Sequence, residues 1–217
     1  MRTEDLIDRL ARDGGPVRPL EAPVRRVLVW LAVALGFAAA MVWAIGPRPD
    51  LAERLTEARF LYEQSAALAT AAAAAAAALA LTLPDASRLW RFLPVIPGAA
   101  WLGTLGLGCF RDWARMGPDG LRLTPDPECF FYIALIGSLP LLVLVLMLRR
   151  GAPLRPSWTL GLAALAAAAI GNFALRLFHM EDAALMVLVW QVGAVALIAG
   201  IAALAGRAIL RWPGLPA

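Results

Sequence analysis

Lysine is missing from this chain of 217 residues; all 20 basic side chains are arginine. Histidine occurs once and cysteine twice, and only 17% of residues are charged. A soluble domain carries nearer a quarter charged residues. The shortage of charge excludes a disordered chain and an ordinary cytosolic enzyme, and two cysteines exclude a disulfide-rich secreted domain. One His and two Cys also leave no assembled nucleophile, base and orienting group, so enzymatic activity is not expected. CxxC and HExxH motifs are absent. The sequence pI near 10.0 does not signify nucleic-acid binding, because the arginines sit in short loops rather than as a stripe on one face.

What fills the chain instead is apolar: 61% of residues, with a mean hydropathy of +0.70. Six runs, at 27–46, 65–83, 92–110, 129–148, 157–178 and 183–206, are long enough to cross a bilayer as helices. They do not alternate with period two, so strands are not expected. Lipid demands internally satisfied backbone, which helices supply. The expected fold is all-α, a polytopic membrane protein with a six-helix bundle at 27–206, a cytoplasmic segment at 1–26 and a cytoplasmic tail at 207–217. The first run follows a charged segment and is longer than a signal-peptide core, so it reads as a retained anchor.

Arginine placement sets the expected orientation. With both termini cytoplasmic, the inner pieces hold the N-terminal arginines through Arg26, then Arg88, Arg91, Arg149, Arg150, Arg155, Arg207 and Arg211. The outer loops hold Arg48, Arg54, Arg59, Arg111, Arg115, Arg122 and Arg176, mixed with acids. Trp30, Trp43, Trp90, Trp158 and Trp212 fall near span ends, where an interfacial belt is expected. Pro94, Pro97 and Pro140 are expected to kink the third and fourth spans. The alanine run 71–78 and the small residues Ala163, Ala167, Gly171, Ala196 and Gly200 predict close helix seams. Asn172 and Gln191 lie at similar depth and predict an interhelical hydrogen bond. A small transporter or channel is the alternative class, but the spans carry no deep acid to serve it.

The N-terminal segment predicts a short amphipathic helix. Thr3 can cap it, Glu4 and Asp5 suit its first turn, and Leu6, Ile7, Leu10 and Ala11 share a face. Gly14, Gly15 and Pro16 end it. Its polar face, with Asp5, Asp8 and Asp13, is too acidic for anionic lipid. Such a helix fits an apolar groove with a basic rim.

Cys109 closes the third span and Cys129 opens the fourth, so both are expected at the outer face with His179. Redox or metal sensing, a static disulfide and inert packing all remain open for the pair. Arg111 is placed to favour a thiolate. Thiolate and imidazole together suit zinc or cadmium, bound transiently, with His179, Glu181 and Asp182 as further candidate ligands.

Several blocks resemble a known family. Residues 1–10 (MRTEDLIDRL) with Pro16 and Val17, the block Gly108 to Trp113 (GCFRDW), the stretch Met147 to Arg155, and Phe178 and His179 through Asp182 to Leu185 and Met186 are similar to the NrsF-like membrane anti-sigma factors of Proteobacteria. The resemblance implies an inner-membrane protein that holds an extracytoplasmic-function sigma factor inactive, without touching nucleic acid itself. It implies that the helix from Thr3 to Asp13 binds the sigma factor, and that Cys109 and Cys129 respond to heavy metals or oxidants.

Overall fold

The computed structural model describes residues 2–13 and 20–210, which are helical for most of their length and contain no strand. Helix α1 (Thr3–Asp13) stands at the N-terminus. The long helices are α2 (Pro23–Ile45), α4 (Ala58–Ala80), α5 (Val95–Met116), α6 (Pro127–Leu148), α7 (Pro156–Leu175) and α9 (Gly193–Ile209). A short α3 (Leu51–Arg54) leads into α4, and α8 (Ala184–Met186) runs through a π-helical turn (Val187–Val192) into α9. Three of the long helices open on proline, at Pro23, Pro127 and Pro156, where the missing N–H costs nothing. Gly46 ends α2 with a φ of 99°, a conformation that favours glycine.

Short connections make successive long helices antiparallel. The α2–α4, α5–α6 and α7–α9 connections share the distal end of the bundle. The α4–α5 and α6–α7 connections lie at the proximal end with the start of α2 and the end of α9. There Arg26 donates to the Met147 carbonyl at 2.9 Å, and Ala152 N–H donates to the Thr82 carbonyl at 3.0 Å.

Helices α4 and α7 form the centre. Ala67, Ala71, Ala74, Ala75, Ala77 and Ala78 of α4 are fully buried, as are most residues of α7. Small side chains let backbones approach closely. A Cβ on Gly171 would collide with the Ile133 carbonyl of α6, and one on Gly137 would press on the Ala167 backbone. The α7–α9 seam uses Gly161 against Ala203, and Gly206 against Pro156 and Ser157. Ala196 and Gly200 do not form the seam their spacing predicts: both are exposed, and Gly200 faces open space.

The outer faces are the greasy ones. Leu28, Ile96, Leu107, Leu142, Leu146, Ile201 and Leu204 are all exposed. Water would not tolerate so much contiguous apolar surface, whereas lipid requires it. Five helical stretches are long and apolar enough to cross a membrane: those beginning at Pro23, Arg88, Pro127, Pro156 and Ala184. This is the signature of a membrane protein. The expected run at 65–83 forms α4 but is not among the five. The reason is composition. Sheltered by its neighbours, α4 is built from alanine, with Arg59, Glu63 and Gln64 in its first two turns.

Two further expectations are corrected. Pro94 is the N-cap of α5 and Pro97 lies in its first turn, so both start a helix rather than kink one; only Pro140 is interior, in α6. Trp30 is not in an interfacial belt. It is fully buried, and its indole N–H donates to the Pro140 carbonyl at 2.9 Å. Trp43, Trp90 and Trp158 are exposed, and Trp212 lies outside the described residues.

Candidate functional site

Two regions carry chemistry: α1 and the distal end. In α1 the backbone N–H of Arg2 donates to Asp5 at 3.2 Å, tying down the first turn. Arg12 donates to the Asp8 carbonyl one turn back at 3.1 Å. No residue of α1 is buried. Leu6, Ile7 and Leu10 are 40%, 59% and 64% exposed, and Asp5, Asp8 and Asp13 are exposed beside them. The expected glycine stop at residues 14–16 lies outside the described residues.

At the distal end a chain of ion pairs stitches the α2–α4 and α7–α9 connections to α4 and α5. Arg48, buried between them, pairs with Asp50 at 2.7 Å and with Asp182 at 2.6 Å. Arg54 reaches Asp50, Glu57 and Asp182. Arg176, at the end of α7, bridges Asp182 at 2.9 Å to Glu63 of α4 at 3.2 Å. Arg59 continues from Glu63 at 2.8 Å towards Asp112 of α5. The Arg48 guanidinium holds the Asp50 carboxyl down at about 2, Arg54 adding to the effect. Burial alone would raise the Asp182 carboxyl, but Arg48, Arg176 and Arg54 outweigh it and hold it below the usual range. The block 108–113 is built around this network. Gly108 leaves room for the Arg59 guanidinium, and Asp112 accepts the Ala184 N–H at 3.3 Å.

Beside the network three donors converge. Asp126 precedes α6 and Cys129 lies in its first turn, so the i, i+3 spacing puts thiol and carboxylate together. The Cys129 thiol donates to Asp126 Oδ2 at 3.0 Å. His179, in the α7–α8 connection, meets the same oxygen through Nε2 at 2.9 Å. All three ligand atoms lie within 4.8 Å of one another. Burial alone would raise the Asp126 carboxyl; the hydrogen bonds from Cys129 and His179 outweigh it and hold it below its ordinary range. Arg48 fixes the loop by donating to the His179 carbonyl at 3.3 Å. A cleft of about 470 Å³, lined by Thr124, Asp126, Phe178, His179 and Met186, leads to the cluster.

The residues named from sequence are therefore sorted by the fold. Cys129 and His179 come together. Cys109, half-buried near the end of α5, is not among the converging donors, and both thiols are free. Asp182 is occupied by three arginines, and Glu181 accepts the Ala183 N–H at 2.9 Å. Asp126 was not picked out by sequence reasoning; its signal is the spacing to Cys129 across a helix N-terminus. The expected Asn172–Gln191 hydrogen bond does not form. Asn172 Oδ1 and both polar atoms of the Gln191 amide are buried without a partner. Gln191 lies on the π-helical turn beside the Cys129 thiol.

No curated protein and no solved structure matches the chain. A family model does: that of NrsF, negative regulator of sigma F, matches residues 10–212. The family is regulatory rather than catalytic and acts on a sigma factor. With nearly its whole length matched, the chain belongs to the NrsF family of negative regulators of sigma F.

Proposed function

We propose that the protein is an inner-membrane anti-sigma factor that holds an extracytoplasmic-function sigma factor through α1. In this reading all six long helices cross the bilayer, with α4 shielded inside, and both termini are cytoplasmic. The arginine bias supports that sidedness, and it puts the distal end in the periplasm.

The observation that carries the reading is the state of α1. A helix of eleven residues is marginal alone in water, yet this one offers Leu6, Ile7 and Leu10 outward and buries nothing against its own bundle. Its apolar stripe suits a groove, and Asp5, Asp8 and Asp13 suit a basic rim. A sigma factor must carry basic surface to meet DNA, so covering that surface blocks its work. Heavy metals or oxidants reaching Cys109 and Cys129 from the periplasm are the proposed release signal. Such a signal works only if the bundle has two arrangements that the modified thiols favour unequally.

The test is a reporter for sigma-dependent transcription with Leu6→Asp and Leu10→Asp combined. The double variant should reach the membrane at normal abundance and leave the reporter permanently on. Unchanged repression would reject α1 as the contact.

A further inference from the structure

We propose that Asp126, Cys129 and His179 are the ligands of a thiophilic divalent cation of the zinc or cadmium class, with Gln191 positioning the cysteine sulfur and Cys109 outside the site. This deepens the sensing reading above and rests on it for its consequence in cells, though not for the binding itself.

The donor set is the first argument. One sulfur, one imidazole nitrogen and one carboxylate oxygen are the ligands that borderline and soft divalent ions select. Ligand bonds of about 2.0–2.3 Å put neighbouring ligand atoms about 3–4 Å apart. The observed spacings of 3.0 Å from Cys129 and 2.9 Å from His179 to Asp126 Oδ2 need only a slight opening. Three protein ligands leave a coordination position free, and the cleft along Thr124 and Met186 gives access to it. Thiol catalysis fits poorly. It needs the imidazole to take the thiol proton, and here the carboxylate stands between the two.

The second argument is Gln191. It is 0% exposed, and neither Nε2 nor Oε1 has a partner. An unpaired buried amide costs about 1–3 kcal/mol, so its persistence calls for a reason. It lies beside Cys129, whose proton is already directed at Asp126. Ionised, that sulfur becomes an acceptor for the waiting amide N–H. The π-helical turn that carries Gln191 is a form often found at functional sites.

Binding exchanges protons for the ion without any redox change. The Cys129 S–H bond breaks, its proton passes to solvent, and the sulfur lone pair bonds the cation. His179 presents the Nε2 lone pair with its ring proton on Nδ1. Asp126 loses both hydrogen-bond donors and turns the freed oxygen to the ion.

The experiment uses the full chain, reduced, in detergent, titrated with cadmium ion alone and followed by thiolate-to-metal absorbance and calorimetry. The wild type should bind one ion with a thiolate band. Cys129→Ser should abolish the band, and His179→Ala and Gln191→Leu should each weaken binding by about tenfold or more. Cys109→Ser should leave affinity unchanged. His179→Cys, which keeps a soft ligand, should retain binding and so separates loss of a ligand from misfolding. Wild-type affinity in both His179→Ala and Asp126→Asn, loss of binding in Cys109→Ser, or no binding by the folded wild type would overturn the site. Binding in vitro with no cadmium-induced reporter activity in cells upholds the site and overturns the sensing reading. Induction without binding does the reverse.

Discussion

Arg48 grips Asp182 with two parallel hydrogen bonds, Nη1 to Oδ1 at 3.0 Å and Nη2 to Oδ2 at 2.6 Å, across 134 residues of sequence. This fork locks the end of α2 to the loop that presents His179.

Asp182→Asn leaves the Arg48 guanidinium, whose side chain is only 1% exposed, short of its main counter-charge. Breaking a buried pair from one side costs about 3–5 kcal/mol, and the exposed part of Asp182 puts this case at the lower end. Replacing both partners, as Arg48→Met with Asp182→Leu, should cost less than the single change. Thermal unfolding in detergent measures both; a double variant weaker than the single would contradict the assignment.

Acid should loosen the same end. Asp50 has an ordinary value of 3.8 and is held at about 2 in the folded chain, first by its hydrogen bond from Arg48. Asp182 is displaced in the same direction. The unfolded state therefore binds these protons more readily, and folding gains stability only where the carboxyls are ionised. That gain is complete above about pH 5 and is lost as pH falls from about 4 towards 2. The melting temperature should be flat above the window and drop inside it, and Asp182→Asn should show the shallower drop. Equal slopes would remove Asp182 from the effect.

Glycine-to-alanine changes should differ in sign by site. Alanine favours a helix over glycine by about 1 kcal/mol. At Gly200 nothing obstructs the new methyl, so a gain of up to that size is expected. At Gly171 the methyl meets the Ile133 carbonyl, and overpacking should cost about 1–3 kcal/mol. Paired unfolding curves decide it; a stabilised Gly171→Ala would mean the α6–α7 seam is looser than described.

Much of this was legible in the residues. Helices, their order and the exposed N-terminal stripe follow from apolar runs and their spacing, which are local. Residues 1–10, the block around Cys109 and the stretches at 147–155 and 178–186 carry the family resemblance. What escaped was long-range. Period and propensity cannot say that Arg48 faces Asp182, that His179 reaches Asp126 rather than Cys109, or that Gln191 turns from Asn172 to the thiol. Trp30 misled because a tryptophan near a span end fits a headgroup belt or a proline carbonyl equally well. The central position of α4 was hidden for a related reason: alanine is compatible with any neighbour.

That alanine helix also dictates a timetable. Glu63 awaits Arg176, and Gln64 awaits the Phe173 carbonyl at 3.0 Å, yet both partners leave the ribosome some hundred residues later. Until α7 is made, Glu63 has only Arg59 of its own helix, Gln64 lacks the carbonyl it donates to, and α4 has grease without depth. Biogenesis must therefore keep the half-built molecule unfinished, closing its middle only when the fifth long rod slides in.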